Sequence, residues 1–142
     1  MDLLKQSVTL KESYFLKDSS LEHITKTKEL LQKLISYPTI SADINLDLIE
    51  FIANYLEDLG AEVYIDQNED GKKANLFATF GGKSPNGILL SGHTDVVPVS
   101  GQKWDTDPFN LSQKDDKLYG RGACDMKVLL LQFFAKQKNT QN

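Results

Sequence analysis

Residues 88–92 read Ile-Leu-Leu-Ser-Gly, an apolar run stopped by glycine, and His93 and Asp95 follow directly. A short continuous apolar run bounded by turn residues is the pattern of a strand buried on both faces, in the middle of a sheet. Such a strand needs covering layers, so the run directs the chain towards a layered α/β architecture.

The rest of the chain offers those layers. Ser19 and Glu22 have capping-box spacing ahead of Ile24, Leu30, Leu31, Leu34 and Ile35, an imperfect helical stripe that Pro38 ends. His23 lies on that helix and reads as a surface residue. After the connector 41–45, Leu48, Ile52, Tyr55, Leu56 and Leu59 recur at three- and four-residue steps, and Gly60 stands where a left-handed cap belongs. Residues 61–65 and 75–80 read as strands joined by a turn-rich stretch. Residues 109–113 and 117–120 flank Asp115 and Asp116 as a hairpin would. The expected fold is α/β, a mixed sheet flanked by helices, with residues 88–92 as its central strand. Residues 1–18 are weakly patterned and read as a loose extension.

Composition narrows the function classes. Net charge is −4 and no long basic run is present, so nucleic acid is not an expected partner. The apolar run at 128–134 is far too short to span a bilayer, so no membrane partner is expected either. The single cysteine, Cys124, excludes an internal disulfide. The first twenty residues lack a basic start followed by an apolar stretch, so the cytoplasm is the expected compartment.

His93 is the first chemical candidate. Ligands of open α/β sheets bind beyond the carboxyl ends of strands, and His93 stands at such an end. Neutral imidazole is a common metal ligand, and its second ring nitrogen is usually held by a carboxylate, a part Asp95 could play. The same spacing also describes a loop histidine bonded to a turn aspartate. Residues 119–127 supply Gly120 and Gly122, which permit a tight turn, and then Asp125 at a helix start. That pattern equally describes a capped helix. Cys124 reads as a small buried residue beside the site. Asp105 and Asp107 read as a solvated turn packed down by Trp104 and Phe109.

Taken together, the segments at 91–98 and 120–127 resemble the first two metal motifs of the M20 family of metal-dependent amidohydrolases and exopeptidases. The text between them, and residues 73–81 upstream, resemble the same family, so the likeness covers roughly residues 28–127. The resemblance implies the N-terminal half of a zinc-exopeptidase-like catalytic domain. It implies that His93 and Asp125 bind metal, with Asp125 bridging two zinc ions (cobalt as a substitute), and that Asp95 is the catalytic aspartate supporting His93. It implies hydrolysis of a small N-acyl amino acid by a metal-activated water. Within the family the motifs are most similar to the acetylornithine deacetylase branch, which converts N-acetylornithine to ornithine and acetate in arginine biosynthesis. Succinyl-diaminopimelate desuccinylases, aminoacylases and dipeptidases are the alternatives, and intact relatives are expected to be homodimers.

The family's remaining equipment, including a glutamate base and a late histidine, has no counterpart here, since the last glutamate is Glu69. The expectation is therefore a partial catalytic domain over 19–127, inactive by itself, with a non-catalytic remnant or binding module as the competing reading. Residues 128–142 depart from family text. With T at each free codon position, a one-base deletion at the Lys127 codon of a Gly-Phe-Ile-Ala continuation yields Val128, Leu129, Leu130 and Leu131, so this tail is read as out-of-frame translation.

Overall fold

The computed structural model describes residues 7–9, 21–82 and 86–138. In chain order these form strand β1 (Ser7–Thr9), helices α1 (Leu21–Ile35) and α2 (Leu46–Asp58), and strands β2 (Glu62–Gln67) and β3 (Ala74–Thr79). Strands β4 (Ser112–Lys114) and β5 (Lys117–Tyr119), an irregular turn (Ala123–Lys127) and helix α3 (Val128–Lys138) follow.

The two amphipathic stripes become α1 and α2. Leu31, Leu34 and Ile35 of the first meet Leu48, Ile52 and Leu56 of the second, and Leu118 of β5 closes the cluster. Helix α3 adds Leu130, Leu131 and Phe134 to the same core. Tyr37, Phe51, Tyr55 and Phe134 form a row of tilted rings with centroids 5.7, 6.4 and 5.6 Å apart. Helix α2 stops as its sequence predicts. Gly60 adopts φ 82°, its N–H donates to Glu57 O at 2.8 Å, and Ala61 N–H donates to Leu56 O at 3.0 Å. This is the paired bonding that satisfies the last carbonyls of a helix, and the left-handed residue is cheapest as glycine.

Strands β2 and β3 pair antiparallel from Glu62–Thr79 to Gln67–Ala74. Period-two alternation turns Val63, Leu76 and Ala78 towards the core. It leaves the directly opposed Tyr64 and Phe77 exposed. Asn45 ties this hairpin to the start of α2, accepting from Ala74 N–H at 2.9 Å and donating to Ala74 O at 3.0 Å. The β4–β5 hairpin turns through Asp115 and Asp116 at φ 50° and 58°, the two consecutive left-handed residues of a tight two-residue turn. Strand β1 lies on the other side of β5, giving the order β1-β5-β4. Residues 7–9 of the expected loose extension are thus paired in a sheet, and the remainder of 1–18, with Ser19 and the side chain of His23, lies outside the described residues.

The α/β class holds, but the expected central strand does not form. Ile88, Leu89 and Leu90 are 90%, 74% and 46% exposed, and no ladder among the described residues includes them. The physical reason is partnership. Burial of an apolar run requires strands beside it and layers over it, and the described strands pair with one another instead. The ladders are antiparallel, and the parallel contact is an isolated bridge between Ile40 and Val96.

Candidate metal centre

Two loops converge next to that exposed run. The first carries His93 and Asp95, and the second carries Asp125 in the turn Ala123–Lys127. Although His93 and Asp125 are 32 residues apart in the chain, His93 Nε2 lies 3.1 Å from Asp125 Oδ1. On the other side of the ring, Nδ1 is 3.1 Å from Asp95 Oδ1 and 3.1 Å from the Asp95 carbonyl. The imidazole is therefore held at both nitrogens. The side chains remain open to solvent, at 48% for His93, 46% for Asp95 and 72% for Asp125.

Local sequence explains the second loop. Gly122 adopts φ 80°, a conformation that side-chain-bearing residues avoid. A Cβ placed there would stand 2.8 Å from Val96 Cγ1 and 3.2 Å from Lys127 Cδ, so the loop can close only over glycine. The backbone at Asp125 is extended (φ −125°, ψ 101°), which lifts its carboxylate out of the turn, and the following peptide is cis. Lys127 N–H returns to Gly122 O at 2.9 Å, closing the turn.

Below the centre lies a buried floor. Lys127 is fully buried, and its Nζ donates to Leu34 O at 2.8 Å and to Tyr37 O at 2.9 Å. Burial pushes its ammonium down to about 8. Arg121 is also buried, and its guanidinium lies 5.1 Å above the Trp104 ring while donating to Gln102 Oε1. Burial lowers the Arg121 pKa as well. Trp104 thus packs the 104–109 turn down as its sequence predicts, and Phe109 N–H donates to Asp107 Oδ1 at 2.8 Å within that turn.

Asp95 has a further partner that sequence reasoning missed. Ser41 Oγ donates to Asp95 Oδ2 at 2.5 Å. That bond is the largest cause holding the Asp95 carboxyl below its ordinary value; burial opposes it, and the neighbouring His93 adds a smaller lowering. Thr39 acts on the same loop: its Oγ1 donates to Thr94 O at 2.6 Å, and its carbonyl accepts from Val96 N–H at 2.9 Å. Thr39 and Ser41 flank Ile40, whose isolated bridge to Val96 lays this stretch beside the histidine loop, and both hydroxyls reach that loop. Nothing in the local sequence signals these bonds, since the partners stand 55 and 54 positions away. Cys124 corrects an expectation in the other direction. It is exposed, because Ala123 occupies the buried position of the turn.

The donor chemistry fits a metal ion in part. A histidine nitrogen and a carboxylate oxygen 3.1 Å apart can share one ion at the usual zinc distances of about 2.0–2.2 Å, and the carboxylate behind the histidine is the usual support. Among the described residues no group of three or more His, Cys, Asp or Glu is arranged to hold a metal. Nor is any helix among them long and apolar enough to cross a membrane.

The sequence profile of Peptidase family M20/M25/M40 matches residues 89–140, a segment that contains His93, Asp95 and Asp125 and runs on through α3. Over 106 residues the chain is 46% identical to the acetylornithine deacetylase of Photorhabdus laumondii, an alignment covering 70% of this chain and 27% of that protein. It is 43% identical over 105 residues to the succinyl-diaminopimelate desuccinylase of Anaplasma marginale, covering 72% of this chain and 27% of that one. Among solved structures, human carnosine dipeptidase 1 superposes with a TM-score of 0.71 at 26% identity, over 82% of this chain and 28% of that chain. The chain thus spans under a third of the length of the relatives it matches.

Proposed function

The chain belongs to Peptidase family M20/M25/M40, and on that premise we propose that it carries part of the metal site of an amidohydrolase of the acetylornithine deacetylase type. His93 Nε2 and Asp125 are the ligands in this reading, and Asp95 is the carboxylate that fixes His93. The observation that carries it is the imidazole held at both nitrogens, with Asp95 on Nδ1 and Asp125 across from Nε2. A proton on Nδ1, facing Asp95, leaves the Nε2 lone pair directed at the point Asp125 also faces. Asp125 would be the carboxylate ligand at that point, facing it with Oδ1.

Zinc, or cobalt in its place, would supply a water of lowered pKa and a Lewis acid for the developing oxyanion. The chain's own residues orient that chemistry: Asp95 keeps the imidazole in one tautomer, and Gly122 lets the Asp125 turn approach Val96. The proposed reaction is hydrolysis of a small N-acyl amino acid by a cytoplasmic assembly that contains these residues together with a general base. The 46% identity to a deacetylase supports the acetyl substrate, and the 43% identity to a desuccinylase is the runner-up.

A second reading, a non-catalytic binding module, draws on one observation: no glutamate of this sequence follows Glu69, so none stands downstream of Asp125. Metal binding tests the first reading. Titration of the 142-residue chain with Co²⁺, followed by visible absorption, is expected to show weak saturable binding that His93→Ala removes. Absence of binding, or binding that survives the substitution, would overturn it.

A further inference from the structure

The two arms of the centre meet at the solvent-open contact between His93 and Asp125, at the His93 N–H that faces Met126 Sδ at 3.2 Å, and where Gly122 backs onto Val96, and both are fastened to one short stretch of chain. Residues 34–41 leave the end of α1 and run beneath the site. At one end, Leu34 O and Tyr37 O receive the Lys127 ammonium at 2.8 and 2.9 Å, and Lys127 is two residues beyond Asp125. At the other end, Thr39 O receives Val96 N–H at 2.9 Å, Ser41 N–H donates to Val96 O at 3.1 Å, and Ser41 Oγ donates to Asp95 Oδ2 at 2.5 Å. The Lys127 stem passes beside Gly122, within 3.2 Å of where a Cβ would stand, so the anchor lies directly under the Asp125 turn.

We propose that residues 34–41 form the strap that aligns the two ligand loops, with Ser41 and Lys127 as its positioning residues. The inference rests on the metal-centre reading above. The two Asp95 oxygens are used separately. Oδ2 takes the Ser41 hydroxyl, and Oδ1 faces His93 Nδ1 at 3.1 Å. Without the hydroxyl the carboxylate can rotate, and His93 loses the fixed acceptor that sets its ring angle. Lys127 acts on the other arm. Its amine bridges two backbone carbonyls where α1 ends, so the Asp125 turn is held at a set height above the strap. Neither residue touches the metal position. Both act through a ligand loop, and removal of such outer partners typically weakens metal affinity by about 10- to 100-fold.

The test uses the full 142-residue chain, with Co²⁺ as the probe. Ser41→Ala is expected to weaken Co²⁺ binding at least tenfold with an unchanged melting midpoint, because Ser41 lies at the surface. Ser41→Thr, which keeps the hydroxyl, is expected to restore binding to within about threefold of the parent. Ser36→Ala is the control, since its hydroxyl donates to Lys33 O within the helix end and touches neither arm. Lys127→Met is expected to weaken binding as well, and where it fails to fold Ser41→Ala decides the matter. In the metal-free chain, hydrogen exchange of a peptide covering residues 93–97 should quicken at least threefold in Ser41→Ala and not in Ser36→Ala. Parental Co²⁺ affinity or unchanged exchange in Ser41→Ala overturns the strap. A parent chain that binds no Co²⁺ overturns the metal centre instead, and the exchange measurement then judges the strap by itself.

Discussion

Asp125 faces His93 across 3.1 Å while keeping 72% of its side chain open to solvent. A group so exposed supports function without supporting the fold. Asp125→Asn is therefore expected to leave unfolding free energy within about 0.5 kcal/mol of the parent, the usual range for surface substitutions. The same change should weaken Co²⁺ binding more than tenfold. Chemical denaturation and a cobalt titration on one preparation check both halves, and a large stability loss would show that the carboxylate is structural.

The zinc-loaded 142-residue chain is expected not to hydrolyse N-acetylornithine above background. A general base must reach the water it deprotonates, directly or through one water. Asp95 is occupied by Ser41 and His93, and Asp107 is bonded to the backbone of its own turn. Ornithine release measured over hours would settle it. Zinc-dependent turnover that disappears in His93→Ala would refute the expectation and favour the enzyme reading for this polypeptide alone.

Lys127 makes stability depend on pH in an unusual direction. Burial lowers its folded-state value to about 8 from an ordinary 10.5. Between those values the unfolded chain holds a proton that the folded chain has released, so this group adds stability as pH rises from about 8 to 10.5. Below pH 8 both states are protonated and the folded chain carries the cost of a buried ammonium. The full span corresponds to about 3 kcal/mol. Urea midpoints at pH 7, 8, 9 and 10 should rise more steeply for the parent than for Lys127→Met, and parallel profiles would contradict the assignment.

Ile88, Leu89 and Leu90 present aliphatic side chains to water on backbone that belongs to none of the described strands. Such a segment is a template for association between chains. Leu89→Lys is expected to raise the concentration at which light scattering begins, with little change in melting midpoint. Loss of stability in that variant would mean the segment is buried after all.

Local chemistry was legible where it was self-contained. Gly60 and the three- and four-residue spacing of α2 name a helix and its cap within one stretch of chain. Asp115 and Asp116 name their own turn. The run at 88–90 was not legible, because its burial depends on neighbours and not on its own composition. His93, Asp95 and Asp125 could be singled out as residues, but the strap could not. Ser41 sits in what reads as a connector, and nothing adjacent to it announces a partner 54 positions away. Lys127 stands inside a motif whose chemistry points to its aspartate, and its acceptors are 90 and 93 residues upstream.

Those separations also bear on when the site comes into being. Every bond of the strap joins its ends over 54 to 93 residues, so none can form while only a local stretch of chain is ordered. Closing loops of that length is the slow, entropy-limited part of folding. Helices α1 and α2 and the β2–β3 hairpin can each form from neighbours in sequence. The Asp125 turn can close locally through Lys127 N–H and Gly122 O, but its placement over His93 requires residue 127 to reach the end of α1 across 90 and 93 residues. During synthesis from the N-terminus, the strap and the histidine loop are both made well before Asp125 and its anchor Lys127 exist. The nascent chain passes through a stage in which α1 and α2 have been synthesised and the second ligand has not.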